Sequence, residues 1–143
     1  MARRSLVVDA SVAVKWFSAV GEAGVPQAVD ILERQIKGEI GVLVPDLLCY
    51  EVANALVYKK AISIDKLQLA VENLFSLGLQ TVSMDRELMM RCVSLAREFN
   101  ISVYDACYVA VAQISESPLV TANPRHQNQA LGCQVVLLEE WHE

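Results

Sequence analysis

The sequence predicts an α/β fold: a three-layer sandwich in which a mostly parallel sheet of about five strands lies between helices. Short, β-branched runs alternate along the chain with longer stretches of helical character. Several of those runs, such as Leu6-Val7-Val8, are apolar at every position, as strands covered on both faces are. The chain is 54% hydrophobic over 143 residues, enough for one sizeable core, so residues 1–143 read as a single domain.

Taken in order, Leu6 to Val8 forms the first strand. Ser11 can cap a short helix through Phe17, and Ser18 to Gly24 is loop-like. Pro26 suits the first turn of a helix that runs to about Lys37, with Gly38 as its stop. Val42 to Val44 is the second strand, closed by Pro45. Asp46 can cap a helix to about Lys60, and Ser63 starts another that ends near Gly78. Leu79 to Ser83 is extended. Asp85 is the expected N-cap of a helix ending by Asn100. Asp105 opens a helix that is apolar nearly all round and therefore central. Leu119 to Thr121 and Val135 to Leu138 complete the strands.

Composition excludes several classes. Charged residues make up 20%, too few beside so many apolar ones for a disordered chain. No segment approaches the roughly 20 uninterrupted apolar residues of a membrane span. Met1-Ala2-Arg3-Arg4 resembles the start of a signal peptide, but Asp9 and Lys15 interrupt the apolar stretch. The net charge of −5 gives no bulk attraction for nucleic acid. Cys49, Cys92, Cys107 and Cys133 lack CxxC spacing and sit among apolar neighbours, so they read as reduced core residues of a cytoplasmic protein. An apolar surface on such a chain is expected to be covered in a homodimer, through the helices starting near Pro26 and Ser63.

Four polar residues interrupt apolar runs. Asp9 ends Leu6-Val7-Val8, and Glu51 lies inside Leu47-Leu48-Cys49-Tyr50-Glu51-Val52-Ala53. Asp105 precedes Ala106 to Ala112, and Asn123 follows Leu119-Val120-Thr121-Ala122. Burying an ionised carboxylate without compensation costs several kcal/mol. In parallel sheets ligands bind beyond the carboxyl ends of strands, where Asp9 and Asn123 fall. Three carboxylates and an amide oxygen are the hard donors that Mg²⁺ or Mn²⁺ takes, with water completing the octahedron. Such a site hydrolyses phosphodiesters without a covalent nucleophile. His126 and His142 complete no Ser-His-Asp pattern.

These residues resemble a known family. Val7 to Phe17 looks like the opening motif of PIN-domain nucleases, and Pro45 through Glu51 to Leu56 their second acidic motif. Val103-Tyr104-Asp105-Ala106-Cys107-Tyr108-Val109-Ala110 resembles the third, and Leu119-Val120-Thr121-Ala122-Asn123 the last. Order and spacing fit across essentially the whole chain, and the single-domain form is similar to the VapC-type toxins. The resemblance implies a metal-dependent endoribonuclease acting on RNA, usually dimeric and often inhibited by a small antitoxin, VapB. It implies Asp9 and Asp105 as main ligands of Mg²⁺ or Mn²⁺, Glu51 completing the metal's ligands or holding its water, and Thr121 bonding a carboxylate or such a water. Asn54, on Glu51's helix face, is placed to orient it. The chain departs from the family at Asn123, where a fourth carboxylate is usual, so the site has one negative charge fewer.

Each residue also has a plainer role. Asp9 and Asp105 can be helix caps, Asn123 before Pro124 a turn residue, and Glu51 half of a buried ion pair. Lys15 reads as solvated, with a carboxylate or phosphate contact as the alternative. Trp16, Phe17 and Tyr50 read as core, and Trp141 as a tail anchor or interface residue. The rival functions are an RNA-processing or DNA-acting nuclease with the same site, and a non-catalytic PIN scaffold that binds a partner.

Overall fold

The computed structural model describes residues 3–18, 22–123, 125 and 132–142. Met1, Ala2, residues 19–21 of the expected loop, Pro124 and His126 lie outside them. The strands β1 (Arg4–Val8), β2 (Ile40–Pro45), β3 (Gln80–Val82), β4 (Leu119–Thr121) and β5 (Val135–Leu137) form one sheet in the order β3-β2-β1-β4-β5. Every pairing is parallel. Val7 at the sheet centre is in register with Leu43 on one side and Leu119 on the other. The helices are α1 (Ala10–Ala13), α2 (Val25–Ile36), α3 (Leu47–Val57), α4 (Ile64–Ser76), α5 (Arg86–Phe99) and α6 (Val103–Ser115). The sheet therefore builds outward from β1 to β3, then restarts at β4 on β1's other side. Right-handed crossovers put the helices before β3 on one face and α5 and α6 on the other. The reversal between β1 and β4 is a topological switch point, where open α/β sheets form their ligand crevice.

The central helix is α6, as its composition requires. Residues Ala106 to Ala112 are all buried, and the helix lies against β1, β2 and β4 with α5 outside it. Cys92 and Cys107 face each other across the α5–α6 contact, Sγ to Sγ 3.8 Å, and burial pushes the Cys107 thiol up to about 12. They pack as thiols; Cys49 and Cys133 are only half-buried.

The caps show where local chemistry ruled. Asp85 accepts from Leu88 N at 2.8 Å, Ser63 from Lys66 N at 3.3 Å, and Asn100 ends α5 at φ 53°. Gly38 takes φ +78° just after α2. Two expectations change, and a third holds in position only. Asp9, not Ser11, caps α1, because its side chain follows the strand directly and reaches Ser11 N. Asp46 stands at the N-cap of α3 as expected, but its side chain makes no cap hydrogen bond; its Oδ2 instead accepts from Met84 N at 3.2 Å and ties the end of β2 to the chain leaving β3. Ser102, not Asp105, caps α6, so Asp105 sits one turn inside.

The edge of β2 needs help before β3 begins. β3 pairs only from Leu43 onward. The buried Gln35 side chain substitutes for the missing strand: Val42 N donates to its Oε1 at 2.9 Å, and its Nε2 donates to Gly78 O at 3.0 Å. At the chain's end, Trp141 Nε1 donates to Asp30 Oδ2 at 3.0 Å and Arg4 lies over the indole, so Trp141 anchors the tail. Among the described residues no helix is long and apolar enough to cross a membrane.

Candidate active site at the switch point

The site grows from the exit of β1. Asp9 leaves the strand with extended backbone (φ −96°, ψ 178°) and is buried. Its Oδ1 accepts from Ser11 N at 3.1 Å and from Ser11 Oγ at 2.5 Å. Its Oδ2 accepts from Thr121 Oγ1 at 2.5 Å. Both hydroxyls are themselves positioned by the backbone leaving β4: Ala122 N donates to Ser11 Oγ at 2.9 Å and Asn123 N to Thr121 Oγ1 at 3.1 Å. Two relays thus run from the β4 exit to the two oxygens of one carboxylate. Charge-assisted hydrogen bonds of this kind are short and favour the ionised form. With both protons committed to Asp9, the 3.4 Å between the two hydroxyl oxygens is adjacency only.

Glu51 enters from the second turn of α3 and is half-buried. Its Oε1 accepts from Tyr108 Oη at 2.5 Å. Burial lifts the Glu51 carboxyl above the usual range; the Tyr108 hydroxyl opposes this, and the negative charges of Asp105 and Asp9 push it further up. That mutual repulsion is the signature of carboxylates gathered at one place. Asp105 arrives from the first turn of α6. A helix that leads into a parallel strand starts at the sheet's carboxyl edge, and its N-terminal dipole favours a carboxylate there. Three distant segments therefore meet at one edge.

The gathering is not a finished cage. Among the described residues no three histidine, cysteine or carboxylate side chains stand close enough to hold a metal ion as they are. The donors are nonetheless the hard oxygens that Mg²⁺ prefers, and Mg²⁺ is usually held through one or two carboxylates, with water and substrate phosphate filling the remaining positions. By donor chemistry and accumulated charge, the residues fit a divalent cation.

The other expected site residues fare differently. Thr121 is fully buried and bonds Asp9 as expected. Asn123 lies beside it, but its Oδ1 accepts from Arg125 N at 3.1 Å, a turn of the Asx kind. Asn54 is exposed and, among the described residues, makes no hydrogen bond to Glu51; Tyr108 has that place. Lys15 is not solvated. The 3₁₀ turn after α1 buries it, and its Nζ pairs with Glu22 Oε2 at 2.9 Å. Glu22 Oε1 in turn takes Lys59 at 3.4 Å. Tyr50 is 73% exposed rather than core, because the buried face of α3 is filled by Leu48, Val52 and Leu56. Sequence reasoning missed Ser11 as a partner of Asp9 and Tyr108 as a partner of Glu51. The signal for Tyr108 was present: a phenol in an otherwise apolar helix, three residues after Asp105, needs a polar partner.

The PIN domain family matches residues 6–131. No functionally curated protein matches the chain by sequence. Among solved structures the chain is similar to a toxin-antitoxin complex from Klebsiella pneumoniae, with TM-score 0.66 and 20% identity over 95% of this chain and 99% of that one. It is similar to VapBC2 from Rickettsia felis bound to a promoter DNA fragment, with TM-score 0.70 and 13% identity over 96% of this chain and 99% of that one. FitAcB from Neisseria gonorrhoeae gives TM-score 0.68 and 15% identity over 95% and 99%.

Proposed function

Because the chain belongs to the PIN domain family, we propose that it is a Mg²⁺- or Mn²⁺-dependent endoribonuclease, the toxin half of a toxin–antitoxin pair. The observation that supports this most is the charge shared by Glu51, Asp105 and Asp9 at the switch point. In this reading Asp9 and Asp105 hold the cation, Glu51 completes its ligands or holds its water, and the Asn123 amide adds an oxygen at the rim. A cation bound there would lower the pKa of a water and offset charge on the scissile phosphate. The chain's own contribution is placement. Ser11 and Thr121 lock the Asp9 rotamer, and the start of α6 sets Asp105. Lys15 supports the edge through Glu22 rather than touching phosphate. With a net charge of −5, attraction of RNA to this edge depends on the cation.

The neighbours that are toxin-antitoxin complexes motivate a small antitoxin as partner, with the toxin itself a homodimer. Free cysteines suit a reducing cytoplasm. Asn123 and the open spacing of the carboxylates favour the rival reading, a PIN scaffold without catalysis. One experiment separates them. Purified protein should cleave RNA with Mg²⁺ or Mn²⁺ and stop with EDTA, and Asp9→Asn or Asp105→Asn should lower the rate by orders of magnitude while the fold survives. A single-stranded DNA arm distinguishes the DNA-acting alternative. Cleavage unchanged in Asp9→Asn would remove this site from the reaction; no cleavage by the wild type would favour the scaffold.

A further inference from the structure

One buried hydroxyl at this edge has no role in the reading above. The chain has four tyrosines. Tyr50, Tyr58 and Tyr104 are exposed, whereas Tyr108 is 3% exposed, in the most buried helix of the fold. A phenol there needs a partner, and phenylalanine would fill the same space without that requirement. Tyr108 spends its proton on Glu51 Oε1 at 2.5 Å, joining α6 to α3 across 57 positions of sequence. It follows Asp105 by three residues, so both lie on one face of α6. A glutamate has three rotatable bonds and readily swings to water. Holding one oxygen removes that freedom and leaves Oε2 for another partner.

We propose that Tyr108 is a positioning residue: its hydroxyl holds Oε1 of Glu51 so that Oε2 serves the divalent cation gathered by Asp9 and Asp105. This rests on the metal reading above. Outer partners that orient a ligand change metal affinity without touching the metal.

The test is Mn²⁺ binding without substrate, by calorimetry, on wild type, Tyr108→Phe, Glu51→Gln and the double variant, with near-UV circular dichroism reporting the fold. Tyr108→Phe should weaken Mn²⁺ about tenfold in the wild-type background. In the Glu51→Gln background it should change nothing further, whereas a purely structural hydroxyl would act equally in both. Coincident wild-type and Tyr108→Phe isotherms, or an undiminished effect in Glu51→Gln, would overturn the proposal and leave the metal reading standing. A wild type that binds no Mn²⁺ overturns both. Should Tyr108→Phe fail to fold, 3-fluorotyrosine labelling of the wild type gives one solvent-shielded ¹⁹F resonance, that of Tyr108. Glu51→Gln should shift it, and Mg²⁺ should move it in wild type; a resonance indifferent to both sinks the idea.

Discussion

Asp9 and Glu51 are carboxylates at one edge, but their surroundings give them different roles. Asp9 receives two hydroxyls and a backbone N–H, which fix its side chain in place. Glu51 receives one hydroxyl and repulsion from its neighbours, so it gains most from a cation. Asn123 lies between these roles. Asn123→Asp keeps the acceptor for Arg125 N and adds a charge near the metal. Coulomb attraction should rise by about 1 kcal/mol, moving the Mg²⁺ requirement for cleavage about fivefold lower. Coincident Mg²⁺ titrations would make Asn123 a turn residue only and leave Asp9, Glu51 and Asp105 untouched. Glu22 is one group that makes stability depend on pH. The Lys15 hydrogen bond holds its carboxyl below the usual 4.5 against the opposing effect of burial, with Lys15's charge and then Lys59 adding to it. A depressed acid stabilises the fold above its unfolded pKa, and that stability disappears as pH falls through the folded value. Glu22→Gln should therefore cost a constant amount near neutral pH, about 1–3 kcal/mol because Lys15 stays buried without its partner. The gap in urea midpoint between the two proteins should narrow below about pH 4.5. A gap that does not change with pH would mean the pair contributes by packing.

At the scale of elements, the sequence was legible wherever the determinant was local. Asp85 and Ser63 start their helices and Asn100 ends one as the chain spells them, and the apolar surroundings of α6 identify the central helix. It was not legible where a side chain reaches a distant backbone. Nothing near Asp46 announces Met84, and nothing near Lys15 decides that a 3₁₀ turn buries it beside Glu22. The candidate site divides the same way: strand-end position and apolar context mark Asp9, Glu51 and Asp105, and a phenol in an apolar helix marks Tyr108 as needing a partner, but that the partner is Glu51 appears only once α3 and α6 are brought together. Gln35 illustrates the hidden kind. It sits on the inner face of α2 yet completes hydrogen bonding for the first half of β2. Gln35→Leu preserves volume and removes the acceptor, leaving Val42 N buried and unpaired at a cost of about 1–3 kcal/mol. Hydrogen exchange should show Val42 losing protection ahead of its neighbours, with a matching fall in urea midpoint. An unchanged midpoint would make Gln35 a packing residue.

For the whole molecule, the exposed apolar side chains show where a homodimer could form. Of the two helices expected at its interface, one is largely spent on the core. α2 turns Ala28, Ile31 and Gln35 inward and offers little outside beyond Val29 and Ile36. α4 buries only Leu74 and presents Ile64, Leu69 and Phe75 to solvent. Ile64 and Phe75 are eleven positions apart, three helical turns, and so share one stripe. An isologous pairing through α4 would cover that stripe on both copies with one contact. Light scattering on the chain purified alone should then report twice 15.8 kDa at micromolar concentration. Phe75→Glu with Ile64→Glu should halve that mass with no loss of helix content, since neither side chain belongs to the core. A wild type that scatters as a monomer would leave the stripe to a different occupant, such as an antitoxin helix. A double variant that stays dimeric would move the interface to another face, the exposed Met89, Met90 and Val93 of α5 being next to test.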